Sequence, residues 1–137
     1  MARSVRLTAF AADGSELLSI EPNGWDEGKV DSIAGPLVWR EADSSTPGYR
    51  DVEADITREG VRKLHEHFRH WPAGAVEFTE SDLRSRAPDD RYRKDIEESL
   101  VHVRAHLTAL DDLASDKMPS DARFVICIFE WESGLGD

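Results

Sequence analysis

Apolar and polar positions alternate with a period of two near both ends of the chain and with a helical period between them. One run stands apart. From Phe124 to Trp131 the chain is apolar on both strand faces, with Phe124, Ile126 and Ile128 on one side and Val125, Cys127, Phe129 and Trp131 on the other. A strand with one wet face would alternate apolar with polar residues, because successive side chains point to opposite faces. This strand is therefore expected at the centre of a sheet covered on both sides, by helices, a second layer or a partner subunit.

The remaining elements follow from the same patterns. A first strand over 4–11 places Val5, Leu7 and Ala9 on one face, Asp13-Gly14 is a hairpin turn, and 16–21 is the return strand. Pro22-Asn23-Gly24 ends it, and 25–35 reads as irregular chain anchored by Val30 and Ile33. A second hairpin joins 37–41 to 49–56, with Val52, Ala54 and Ile56 inward and Asp51, Glu53 and Asp55 toward water.

Thr57 is a good N-cap for a helix over 57–71 carrying Val61, Leu64, Phe68 and Trp71, which Pro72 and Gly74 are expected to stop. A short strand is expected over 75–79 and a polar loop over 81–89. The second helix, 90–114, repeats Tyr92, Ile96, Leu100, Val103, Leu107 and Leu110 at the helical period. Strands grouped ahead of helices imply an α+β fold rather than a doubly wound parallel one. The expectation is one α+β domain over 1–137, a mainly antiparallel twisted sheet of about six strands with two helices packed on it. If both helices share one face, a homodimer is favoured over a monomer, because a second copy would cover the other face.

Charge narrows the partners. The net charge of −11 is uneven: residues 1–56 carry 11 acids against 5 bases, whereas 57–87 carry 5 against 6. Nucleic acid is an unfavourable partner, since affinity for it comes mainly from cations releasing counterions, and an anionic membrane surface is disfavoured for the same reason. No apolar run approaches a membrane span, and the N-terminus runs straight into strand pattern without an apolar signal segment, so a cytoplasmic protein is expected. The single cysteine, Cys127, lies mid-strand among apolar neighbours, cannot support a disulfide framework and is expected to be inert.

Three constellations carry candidate chemistry. His102 and His106 stand one helical turn apart, the spacing that offers two imidazoles to zinc or iron, although Glu98 is equally placed to pair with His102. His65 and His67 flank the Leu64/Phe68 stripe on opposite sides, so they cannot converge on one ion. Glu130 and Glu132 share a strand face roughly 6.6 Å apart, by the strand rise. At the mouth of a pocket such a pair can split its pKa values for acid/base work; otherwise it is the solvated end of a core strand.

Trp25 sits in an acidic loop with Asp26 and Glu27, and Asp51, Glu53 and Asp55 form a row on a wet strand face. An aromatic among carboxylates suits a cationic partner, or else plugs the sheet. The leading expectation is a non-enzymatic domain that binds a basic protein through Trp25, Asp26, Glu27, Asp51, Glu53 and Asp55. Small acidic antidote or immunity proteins have this overall character, but no motif here marks such a family. The alternatives are a metal protein or enzyme using the helix histidines, and a small-ligand domain with a pocket between the last strand and the long helix.

Overall fold

The structure, a computed structural model, describes residues 2–42 and 49–131. Five strands form one antiparallel sheet: β1 (Ala2–Phe10), β2 (Glu16–Ile20), β3 (Arg40–Glu41), β4 (Tyr49–Ile56) and β5 (Arg123–Trp131). Their order is β2-β1-β5-β4-β3, so the run that is apolar on both faces is the central strand. It is in register with β1 from Phe10↔Arg123 to Ala2↔Trp131, and with β4 from Ile56↔Phe124 to Tyr49↔Trp131. The β1–β2 turn is the expected one. Gly14 takes φ 88°, and the Asp13 carboxylate accepts bonds from the Ser15 amide and hydroxyl.

Four helices accompany the sheet, α1 (Glu27–Ala34), α2 (Arg58–Phe68), α3 (His70–Ser85) and α4 (Arg93–Leu113). The α+β class and the antiparallel sheet agree with the sequence. The counts do not, with five strands in place of about six and four helices in place of two among the described residues. Two segments account for the extra helices. The stretch read as irregular contains α1, whose N-cap Asp26 accepts from the Lys29 amide. The expected strand at 75–79 and half of the expected polar loop belong to α3.

Pro72 explains the second misreading. It stops a helix that precedes it, but it is tolerated in the first turn of one that follows, where its missing N–H has no partner to lose. Arg69 keeps helical dihedrals (φ −66°, ψ −33°), so the chain turns the α2–α3 corner almost without leaving the helical region, and Pro72 becomes the third residue of α3. The carbonyls at the end of α3 are held by the Arg93 guanidinium, which donates to Leu83 O and Arg86 O.

The core lies on one face of the sheet. Val5, Leu7 and Ala9, Val52, Ala54 and Ile56, and Phe124, Ile126 and Ile128 pack against Val30, Val61, Leu64, Leu110 and Leu113 from the helices. Arg58 fastens the closing loop by donating to the carbonyls of Ser115, Met118 and Pro119, and its guanidinium lies 5.4 Å from the Phe124 ring centroid. α3 packs on α4 and, less extensively, on α2, outside this core.

The outer face differs from the expectation. No helix of the described residues covers it, yet Val125 is only 4 % exposed and Thr8 only 5 %. The sheet's own long polar side chains gather on this face. Arg6 lies 5.5 Å over the Phe129 ring, Arg123 and Arg40 reach to Asp55, and the Thr8 and Ser19 hydroxyls bond to each other. Arginine stems can shield apolar surface while their heads stay in water. The apolar outer side of β5 therefore does not by itself demand a partner subunit.

Candidate functional site

A cleft of about 290 Å³ opens at one end of the molecule, between residues 21–25, the α2–α3 corner and α4. The loop enters it through Pro22 and Gly24, the latter at φ 82°, a left-handed conformation suited to glycine. That turn sends Trp25 inward, where it is 5 % exposed and stacks on Phe68 with ring centroids 4.5 Å apart. Trp71, from the first turn of α3, stands on the rim and is 67 % exposed. α4 supplies the opposite wall through His102, Val103, His106 and Leu110. A second hollow of about 410 Å³ adjoins it, sharing Asn23, Phe68 and Trp71 and adding Gly24, His67 and His70.

Two of the five histidines thus line the cleft, and two line the adjoining hollow. The two on α4 lie on the same helical side, as their spacing requires, with His102 exposed and His106 half-buried. Burial holds the His106 imidazole below its ordinary pKa and favours the neutral form. His67 packs edge-on against Phe68, 4.8 Å between centroids. The one carboxylate in the lining, Glu21, accepts from Arg6 at 2.6 Å. Lys29 donates from its ammonium to Gly24 O at 3.0 Å, at the loop's outer edge. Among the described residues no three His, Cys, Asp or Glu side chains gather closely enough to hold a metal ion, so His102 and His106 have no third such ligand there.

Compared with family models, curated proteins and solved structures, the chain matches none. Its site is read from its own geometry.

The fifth histidine has a structural place. His65 Nε2 lies 2.7 Å from Asp111 Oδ1, and Arg69 Nε donates to the same oxygen at 2.8 Å, tying α2 to α4 beneath the cleft. Burial pushes the Asp111 carboxyl up, but the bonds from Arg69 and His65 outweigh it and leave the group below the usual carboxylate range.

The acidic set expected to meet a partner is dispersed. Trp25 is a core plug rather than a surface contact. Asp26 caps α1, and Glu27 opens that helix half-buried. Glu53 and Asp55 do lie on the outer sheet face, where Arg40 reaches both at 3.5 and 3.3 Å, and Arg123 reaches Asp55 at 2.9 Å. The Arg123 bond, with Arg40 beyond it, lowers the Asp55 carboxyl below its ordinary value. Asp51 lies opposite Phe129 in register.

Glu130 is 7 % exposed at the rim of the inner face, in register with Arg3 and Arg50, and Glu132 lies outside the described residues. Cys127 is half-buried, and burial together with the nearby Glu53 raises its thiol pKa. The cleft shares the long helix with the pocket expected between that helix and the last strand, but no β5 residue lines it. The signal that could have located it was the histidine pattern, with imidazoles at the end of one helical segment and along the next.

A wider hollow of about 570 Å³ on the outer face is lined by Thr8, Val125 and Cys127 and by Arg40, Glu53 and Arg123. Of its charged lining residues, Arg40 is bonded to Glu53 and Asp55, and Arg123 to Asp55.

Proposed function

We propose that the chain is a ligand-binding domain that holds a small ring-bearing molecule in the cleft between residues 21–25, the α2–α3 corner and α4. The observation that carries this reading is the composition of the lining, with Phe68 and the exposed Trp71 presenting apolar surface beside the polar Asn23, His102 and His106. Concave, mostly apolar sites with a few placed polar groups are the usual form of a small-molecule site. An exposed tryptophan at such a rim offers a flat face on which a ring can stack. The test is an NMR titration with naphthalene-1-acetamide and, as an acyclic control, hexanamide. Saturable shifts at Trp71, Val103 and His106 with the ring compound alone, lost in Trp71→Ala, are expected. Shifts scattered over the surface, or none, would refute the reading.

A second reading remains, contact with a basic protein partner. It is favoured by the net charge of −11 and by exposed carboxylates on the outer face such as Asp55. Its mark is an association that weakens steeply with added salt, and a salt-independent association counts against it.

A further inference from the structure

The cleft and its neighbouring hollow differ in charge from the rest of the molecule, and this bears on what they bind. In a chain of net charge −11, their combined lining holds one carboxylate, Glu21, against four imidazoles from three helices, His67, His70, His102 and His106. We infer that the ligand is an anion as well as a ring, its carboxylate or comparable group received by the histidines while its ring lies on Trp71 and Phe68. This rests on the reading of the cleft as a ligand site and names the ligand's chemical class.

The charged groups facing the site can be taken element by element. From the 21–25 loop comes Glu21, already paired with Arg6, so it adds little net field. Lys29 and Asp26 stand behind the loop, the ammonium on Gly24 O and the carboxylate on the Lys29 amide. α2 contributes His67, α3 contributes His70, and α4 contributes His102 and His106. Two exposed carboxylates stand four residues before these imidazoles, Glu66 before His70 and Glu98 before His102, while Asp111 is held by Arg69 and His65. Histidine is the side chain whose charge responds to pH in the neutral to mildly acidic range.

An anion seated among them favours their protonated forms. Binding is therefore linked to proton uptake, and each imidazole whose pKa the ligand raises by about one unit adds about tenfold to affinity at low pH. Burial holds the half-buried His106 below its ordinary value, and a bound negative charge would act against that shift.

The experiment compares three naphthyl probes by calorimetry at about pH 8 and about pH 5.5, on either side of the free imidazole value: the isosteric pair naphthalene-1-acetate and naphthalene-1-acetamide, and the cationic 1-naphthylmethylamine. The expected result is that the carboxylate binds more tightly than the amide and the amine more weakly. The carboxylate-to-amide ratio should rise about tenfold or more on acidification, with measured proton uptake. In His102→Gln/His106→Gln the rise of that ratio on acidification should collapse, the ratio being read against amide binding by the same variant, and His67→Gln/His70→Gln provides a second, more exposed pair should the first disturb packing. Amide binding equal to or tighter than carboxylate binding, or a ratio independent of pH, overturns the inference and leaves the cleft reading standing. Failure of all three probes to bind overturns the cleft reading and the inference with it.

Discussion

Replacing two helical glycines by alanine should move stability in opposite directions. Alanine in place of glycine inside a helix gains about 0.5–1 kcal/mol, because the unfolded chain loses conformational freedom and the helix loses none. At Gly74, in the exposed part of α3, a Cβ meets nothing within 4 Å, so Gly74→Ala should show that gain. At Gly60, in the first turn of α2, the same atom would sit 2.8 Å from Ile56 Cγ1, 3.3 Å from Ile56 Cδ1 and 3.3 Å from Thr57 Oγ1.

Neither neighbour can yield easily. Ile56 is 5 % exposed within the core, and Thr57 Oγ1 is the N-cap that accepts from the Gly60 amide at 3.0 Å. Overpacking of this kind costs about 1–3 kcal/mol, which exceeds the helical gain and leaves Gly60→Ala about 1 kcal/mol less stable than the parent. Urea unfolding followed by circular dichroism would measure both variants, with an unchanged slope showing that only stability moved. The expected gap between them is about 2 kcal/mol. If Gly60→Ala proved as stable as Gly74→Ala, the tight approach of α2 to Ile56, and with it the described seating of that helix on the sheet, would be wrong.

Other outcomes follow from individual side chains. Trp25→Ala should lose about 3–5 kcal/mol of stability, because the indole is a buried plug stacked on Phe68; a variant that kept its stability would return Trp25 to the surface. Asp111→Asn should be less stable than the parent near neutral pH, and the difference should shrink with acidification. The carboxyl's folded pKa lies below its unfolded value of about 3.9, so its contribution is present above that value and is lost as pH falls through the folded one. A difference independent of pH in denaturant titrations would refute that account. The Cys127 thiol, raised in pKa by burial and by Glu53, should react with an aromatic disulfide reagent far more slowly than free cysteine at neutral pH and accelerate on unfolding; equal rates would show it exposed.

What was legible in the sequence is what local physics decides. The run from Phe124 to Ile128 could only be a central strand, Asp13-Gly14 could close a hairpin with no distant help, and Thr57 caps its helix through a residue three positions on. The long helix was readable from its period, since Leu100 and Leu110 take their interior places one after another along a single stripe. Pro72 was not decided locally, because the same residue ends one helix or begins another, and only the helical dihedrals of Arg69 make it a beginning.

Tertiary structure also decided where Trp25 went and what lies over Phe129, since one depends on Phe68 arriving from α2 and the other on Arg6 from the neighbouring strand β1. The candidate site belongs wholly to that second class. His67 and His70 lie more than thirty positions before His102 and His106, and no pattern along the chain records that the α2–α3 corner and α4 meet across one cleft. Periodicity reports which side of each element is buried, whereas a site made from several elements exists only once their packing has brought those sides together.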